Sequence, residues 1–358
     1  LLVERYYKVA LSMINGLGSK RTQVLLDYFG TAEAAWQNDW QEVEGIPMNV
    51  IREFGETKKK TIVENLEAEL AQKKVQILLK SDLEYPALLK EIDSAPQLLY
   101  VKGSLKEFTK GIAIVGARKC TTYGRGVAER LAEELAEAGI SVVSGGARGI
   151  DTCAHKGALK KGPTFAVLGS GVDIAYPPEN RGLFAHIAES GALISEYPLG
   201  MPPMAGNFPA RNRLLSGLCE GTLVIEAATQ SGSLITAHLA LEQNREVFAI
   251  PGSILSESSS GTNQLIQQGA KLVVSVQDIL EEIGEKGKLI APKIKKEFTE
   301  SEKLILSILK ADEPLLLETI SELSGMDWGK ASLLLLEMEI EGLIKNEGLQ
   351  GYIRKVSL

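Results

Sequence analysis

The chain has 358 residues, of which 44% are hydrophobic and 24% charged, with a formal net charge of -7. That length is too great for one ordinary domain and implies two or three, and the apolar content suffices for their cores. A net negative charge repels phosphate, which excludes nucleic-acid binding through the bulk field; any such binding must rest on local basic clusters.

Cys120, Cys153 and Cys219 stand far apart without paired ligand spacing, and His155, His186 and His238 form no metal-type cluster. Neither a metal nor a cofactor is expected, and so sparse a cysteine set fits a reducing cytoplasm. No apolar run reaches membrane-spanning length and no signal-peptide pattern opens the chain, so a cytoplasmic protein without membrane contact is expected. The chain opens at Leu1 rather than a methionine, so a few residues are expected upstream.

Residues 1–80 carry apolar positions at helical spacing through Val9, Met13, Val24, Leu25 and Tyr28. Asn15–Lys20 and Val43–Pro47 interrupt them as two short glycine hairpins. This is the pattern of a helix-hairpin-helix module, which presents backbone amides to phosphate or serves simply as helical packing. Val75–Leu79 and Leu98–Val101 read as strands of a transition, and the α/β domain is expected over 81–285.

Within it, strands are expected at Ile112–Val115, Ser141–Ser144, Thr164–Leu168, Ala192–Ser195, Thr222–Glu226, Glu246–Ile250 and Leu272–Val274. Helices fill the intervals, several stopping at glycines such as Gly139, Gly191 and Gly269. Such alternation means a doubly wound, mainly parallel sheet covered on both faces, with ligands bound beyond the carboxyl ends of its strands. Residues 286–298 read as a basic, proline-bearing linker, and 299–358 as three helices and two strands in winged-helix order. The third of those helices holds Lys330 as its one basic residue, so a protein-contact role suits it better than DNA reading.

Four strand-to-helix segments carry glycine, arginine or both on the expected ligand edge. They contribute Gly116, Arg118 and Lys119; Gly145 and Arg148; Gly169 and Gly171; and Phe208, Arg211, Asn212 and Arg213. Glycine allows amides to close on an anion, and arginine adds a planar fork of donors. Phe208, on a loop before Pro209, offers a π-face to an unstacked base, with Tyr123 and Tyr176 on neighbouring turns. No G-x-x-x-x-G-K-[ST] or G-x-G-x-x-G motif is present, which argues against P-loop ATPases and dinucleotide dehydrogenases. Asp151, Asp173, Glu196 and Glu226 lie near strand ends, but each has a structural reading as cap, ion-pair partner or turn support, and no catalytic residue is assigned.

The succession GARKCTTYG, SGGARGIDTCAHKGAL, AVLGSGVDIAYPPEN, FPARNRLLSGL, VIEAATQSGSLITAHLALE and REVFAIPGS resembles the DprA/Smf family (DNA-processing protein A) over nearly all of 80–280. The two ends of the chain look like that family's accessory helix-hairpin-helix (SAM-like) and winged-helix domains. The resemblance implies an extended Rossmann-like domain that binds single-stranded DNA without sequence preference, forms a homodimer, and loads RecA recombinase on incoming DNA in natural transformation. By position it points to Arg118, to Arg211 and Arg213, and to Phe208 as the aromatic before proline. Ala117 stands where the family has a serine, Gly146 where it has a leucine, and no basic residue precedes Phe208 in 204–207. Two other readings are a nucleoside monophosphate phosphoribohydrolase-like enzyme and a winged-helix regulator of duplex DNA.

Overall fold

Short runs of apolar residues, each buried along its whole length, build the centre of the computed structural model, which describes residues 2–285, 298–310 and 313–354. Nine strands form one sheet: β1 Val75–Leu79, β2 Leu98–Gly103, β3 Gly111–Val115, β4 Ser141–Ser144, β5 Thr164–Val167, β6 Ala192–Ser195, β7 Gly221–Val224, β8 Glu246–Ala249 and β9 Lys271–Leu272. Their order is β1-β2-β6-β5-β4-β3-β7-β8-β9. β3 to β9 pair in parallel, while β1–β2 and β2–β6 are antiparallel.

β3, β4, β5, β6 and β7 are buried at every position, because helices cover both faces and no residue alternates toward water. The chain winds from β3 to β6 in one direction, then returns to place β7 on the other side of β3. That reversal makes the crevice between the carboxyl ends of β3 and β7 the topological switch point, where such sheets bind ligands. The architecture is therefore the doubly wound, extended Rossmann-like α/β fold.

The N-terminal helices are part of the same core. Val9, Leu11, Leu25, Trp36, Trp40 and Phe54 join Leu98, Tyr100, Phe184 and Leu193 on one face of the sheet. Trp40 is fully buried, stacks on Phe54 at 3.9 Å and donates its indole N–H to the Ala35 carbonyl. β1, placed by sequence just before the boundary at 81, hydrogen-bonds to β2 as the sheet's edge. The opposite face is covered by Leu89, Ile92, Leu214, Leu215, Leu218 and their neighbours.

The described residues divide into two compact units: residues up to 120 with 127–285, and 121–126 with those from 298 on. In the second unit the helices Glu300–Ile308, Leu317–Ser324 and Trp328–Ile340 precede an antiparallel pair, β10 Ile344–Asn346 and β11 Tyr352–Arg354. Ile305, Leu306, Ile320, Leu335 and Met338 fill its core. The expected linker lies, except for residue 298, outside the described residues. Among the described residues no helix is long and apolar enough to cross a membrane.

Candidate nucleic-acid interface

Beyond β3 the chain turns through Gly116 and Ala117 at the switch point. A Cβ on Gly116 would stand 2.7 Å from the Ile150 side chain, so glycine is what lets the turn lie against the following layer. The Ala117 amide donates to the Glu226 carbonyl at 2.8 Å, fastening the turn to the end of β7. Gly149 interlocks from the other side: at φ 76° and ψ -125°, its missing Cβ would lie 2.3 Å from the Ala117 oxygen and 2.6 Å from that of Arg118. Two turns thus hold the backbone of Arg118 between them.

Arg118 and Lys119 emerge exposed, and neither has an ion pair among the described residues. The Arg118 guanidinium lies 5.6 Å from the centre of the Phe208 ring, within reach of a cation–π contact. Tyr176, 39% exposed, stands beside that ring at 5.7 Å between centroids. Gly169 underlies the ring, since a Cβ there would sit 3.0 Å from it, and the Asn207 amide is tied to the Gly169 carbonyl at 3.1 Å. Phe208 is not on a loop, as its proline neighbour suggests, but in the first turn of the helix Asn207–Gly217. Pro209 is tolerated there because first-turn amides have no intrahelical acceptor.

The other expected arginines differ in kind. Arg211 is 5% exposed and faces inward, donating to the Gly145 carbonyl at 2.8 Å and to that of Val167, with Nε unpartnered. Burial draws its guanidinium down to about 10, opposed by the nearby Asp151 carboxylate. Gly145 makes room for this pair: a Cβ would meet the Asp151 carboxylate at 2.6 Å and the Arg211 fork at 2.7 Å. Arg213 grips both oxygens of Glu196, at 2.9 and 2.6 Å, with little of either side chain exposed. Arg148 is exposed but paired with Glu179. The expectation of a row of free cations is therefore corrected: Arg118 and Lys119 remain open, while Arg148, Arg211 and Arg213 spend their guanidinium groups on partners within the protein.

Asn212 is half-buried one position beyond Arg211. Gly171 is buried, its Cβ position taken by the Pro198 carbonyl at 2.6 Å, and its amide donates to Met201, so it supports the loop rather than opening it. The carboxylates have structural partners: Asp173 binds Lys73 at 2.5 Å and the Gly200 amide at 2.9 Å, and Asp151 accepts from the Ala147 amide at 3.3 Å. Burial raises the Asp151 carboxyl above its ordinary value, partly offset by Arg211. His155, fully buried behind it, bonds Thr164 through Nδ1 and is driven by burial down to about 3, so it is neutral at physiological pH.

Sequence reading passed over Gly149, whose signal is a glycine immediately before the helix Ile150–Ala158. It also noted Tyr176 without assigning it a place beside Phe208. The result is a cation and two aromatic rings on one edge, held from beneath by glycine turns and a buried Arg211–Asp151 layer. Such a surface can neutralise a phosphate and stack an unpaired base.

Protein Smf of Synechocystis is 35% identical over 98% of this chain and 99% of its own length. The X-ray structure of DNA processing protein A from Streptococcus pneumoniae aligns with a TM-score of 0.67 and 40% identity, covering 78% of this chain and 97% of that one. A solved structure of DNA processing protein A from Helicobacter pylori, described for its single-stranded DNA binding mode, aligns with a TM-score of 0.54 and 31% identity, covering 59% of this chain and 96% of that one. With the model of DNA recombination-mediator protein A matching residues 76–284 as well, the chain belongs to that family, also called DprA/Smf.

Proposed function

We propose that the protein binds single-stranded DNA without sequence preference and acts as a recombination mediator in the cytoplasm, loading RecA on DNA taken up in natural transformation. The observation that carries this reading is the unpaired Arg118 guanidinium against the Phe208 ring at the switch-point edge. Phosphate contact there is indifferent to sequence, and an aromatic face accepts any base. The H. pylori relative, described for binding single-stranded DNA, supports the same ligand for this chain. Glycines 116, 145 and 169 shape the platform, Arg118 and Lys119 hold phosphate, and Phe208 stacks, with Asn212 and Arg148 at its margin. Arg211 and Arg213 maintain the helix that carries the ring. The role is binding, not catalysis.

The reading includes a homodimer formed through the Rossmann-like domain and a winged-helix assignment for the C-terminal unit. The helix Trp328–Ile340 exposes Trp328, Leu333 and Leu336 and has Lys330 as its one basic residue, which suits a protein partner more than a phosphate backbone. Competition tests the reading: unlabelled oligothymidylate should displace a labelled single strand far more effectively than random duplex at equal nucleotide concentration. Duplex preference would overturn it.

A further inference from the structure

A cavity of about 440 Å³ lies between the first N-terminal hairpin and the segment leading from Glu196 to Asn207. Its volume falls within the roughly 300–1,000 Å³ of ligand pockets. Lys8, on the helix Leu2–Ser12, is half-buried in its wall and has no ion pair among the described residues. Arg21 lines the same wall and spends its guanidinium on the Gly16 carbonyl at 2.7 Å, so its charge also lacks a carboxylate. The one carboxylate of the lining is Glu196, and Arg213 holds both its oxygens. In a chain of net charge -7, this recess carries an excess of positive charge.

The other wall is apolar, with Met201 and the half-exposed Met204, whose flexible side chains conform to a flat ring. Asn207 joins the cavity to the platform: it lines the recess, precedes Phe208 in the chain, and bonds the Gly169 carbonyl under the Phe208 ring. The recess and the platform therefore meet at two consecutive residues, Asn207 and Phe208.

We propose that this cavity is a second station for the same single strand, taking a phosphate at Lys8 and Arg21 and a base against Met201 and Met204. The inference rests on the platform reading of Arg118 and Phe208, and extends the path of the strand onto the N-terminal helices. It makes that helical region part of the binding surface as well as of the core.

The test is fluorescence anisotropy with labelled oligothymidylates of graded length on the full chain, comparing the parent with Lys8→Glu, Met204→Glu and Arg118→Ala. The two glutamates approach the recess from opposite walls, and the half-exposed Met204 supplies a readout even if the lysine change disturbs its helix. Each should weaken the longer oligonucleotides by about tenfold or more, Lys8→Glu by losing a charge-assisted contact and Met204→Glu by placing a carboxylate beside the strand, and leave the shortest bound as in the parent. Lys8→Glu should also lower the salt slope for the longer ones by about 0.7. Parental binding at every length overturns the second station while leaving the platform intact. Equal weakening at every length overturns it too, since the residues would then act on the platform itself. An unaffected Arg118→Ala strikes the underlying reading instead.

Discussion

Replacing Arg211 with methionine separates an architectural arginine from a DNA ligand. Arg211 is 5% exposed, donates to the carbonyls of Gly145 and Val167, and lies beside the buried Asp151. Methionine retains most of the volume but strips two carbonyls of their donor and leaves Asp151 without its neighbouring cation. Removing one member of a buried charged pair costs about 3–5 kcal/mol. For a folded unit of this size each kcal/mol lowers the melting temperature by roughly 2–3 °C, so a fall of about 10 °C is expected. Arg118→Met is the control, because an exposed side chain without an ion pair should change the melting temperature by no more than about 1 °C. Thermal melts followed by circular dichroism, paired with oligonucleotide titrations well below both transitions, read the two effects separately. If Arg211→Met melts with the parent yet loses binding, Arg211 is a ligand and the assignment of roles within the helix Asn207–Gly217 is wrong.

Three further outcomes follow from the same geometry. Gly149→Ala forces a Cβ to within 2.3 Å of the Ala117 oxygen, so about 1–3 kcal/mol of stability should go into backbone strain, and oligonucleotide affinity should fall as the Arg118 turn moves; unchanged affinity would unlink the two turns. Phe208→Ala should cost about 1–3 kcal/mol of binding with an unaltered salt slope, and Phe208→Trp should restore it; a shallower slope in the alanine variant would contradict stacking. His155 has a folded value of about 3 against an ordinary 6.5, so its neutral form stabilises the fold above pH 6.5 and that contribution is lost as pH falls toward 3. Between pH 7.5 and 5 it should withdraw about 2 kcal/mol, and urea denaturation of His155→Gln should lack that part of the decline.

The sheet was legible because strands buried on both faces leave uninterrupted apolar runs: Ser141–Ser144 and Ala192–Ser195 begin and end where the spacing places them. Two strands end one residue early, at Val167 and Ala249, although the buried Leu168 and Ile250 still donate their amides to the Ile194 and Val224 carbonyls of the neighbouring strands. The site was legible only as composition. Sequence shows that arginines cluster after strands but not which way each points, and the direction decides everything. Arg211 and Arg213 are two apart on one helix, yet one turns to backbone carbonyls and the other to Glu196. Phe208 looked like a loop residue because proline usually ends a helix, whereas here it sits in the opening turn. The pairing of Arg148 with Glu179, thirty-one residues away, has no local signal at all.

The most direct test of the account is the salt dependence of oligothymidylate binding by the parent and Arg118→Ala. The account predicts weaker binding to every sequence alike and a slope of log affinity against log salt shallower by about 0.7, one phosphate contact fewer. Superimposable isotherms at all salt concentrations would contradict it.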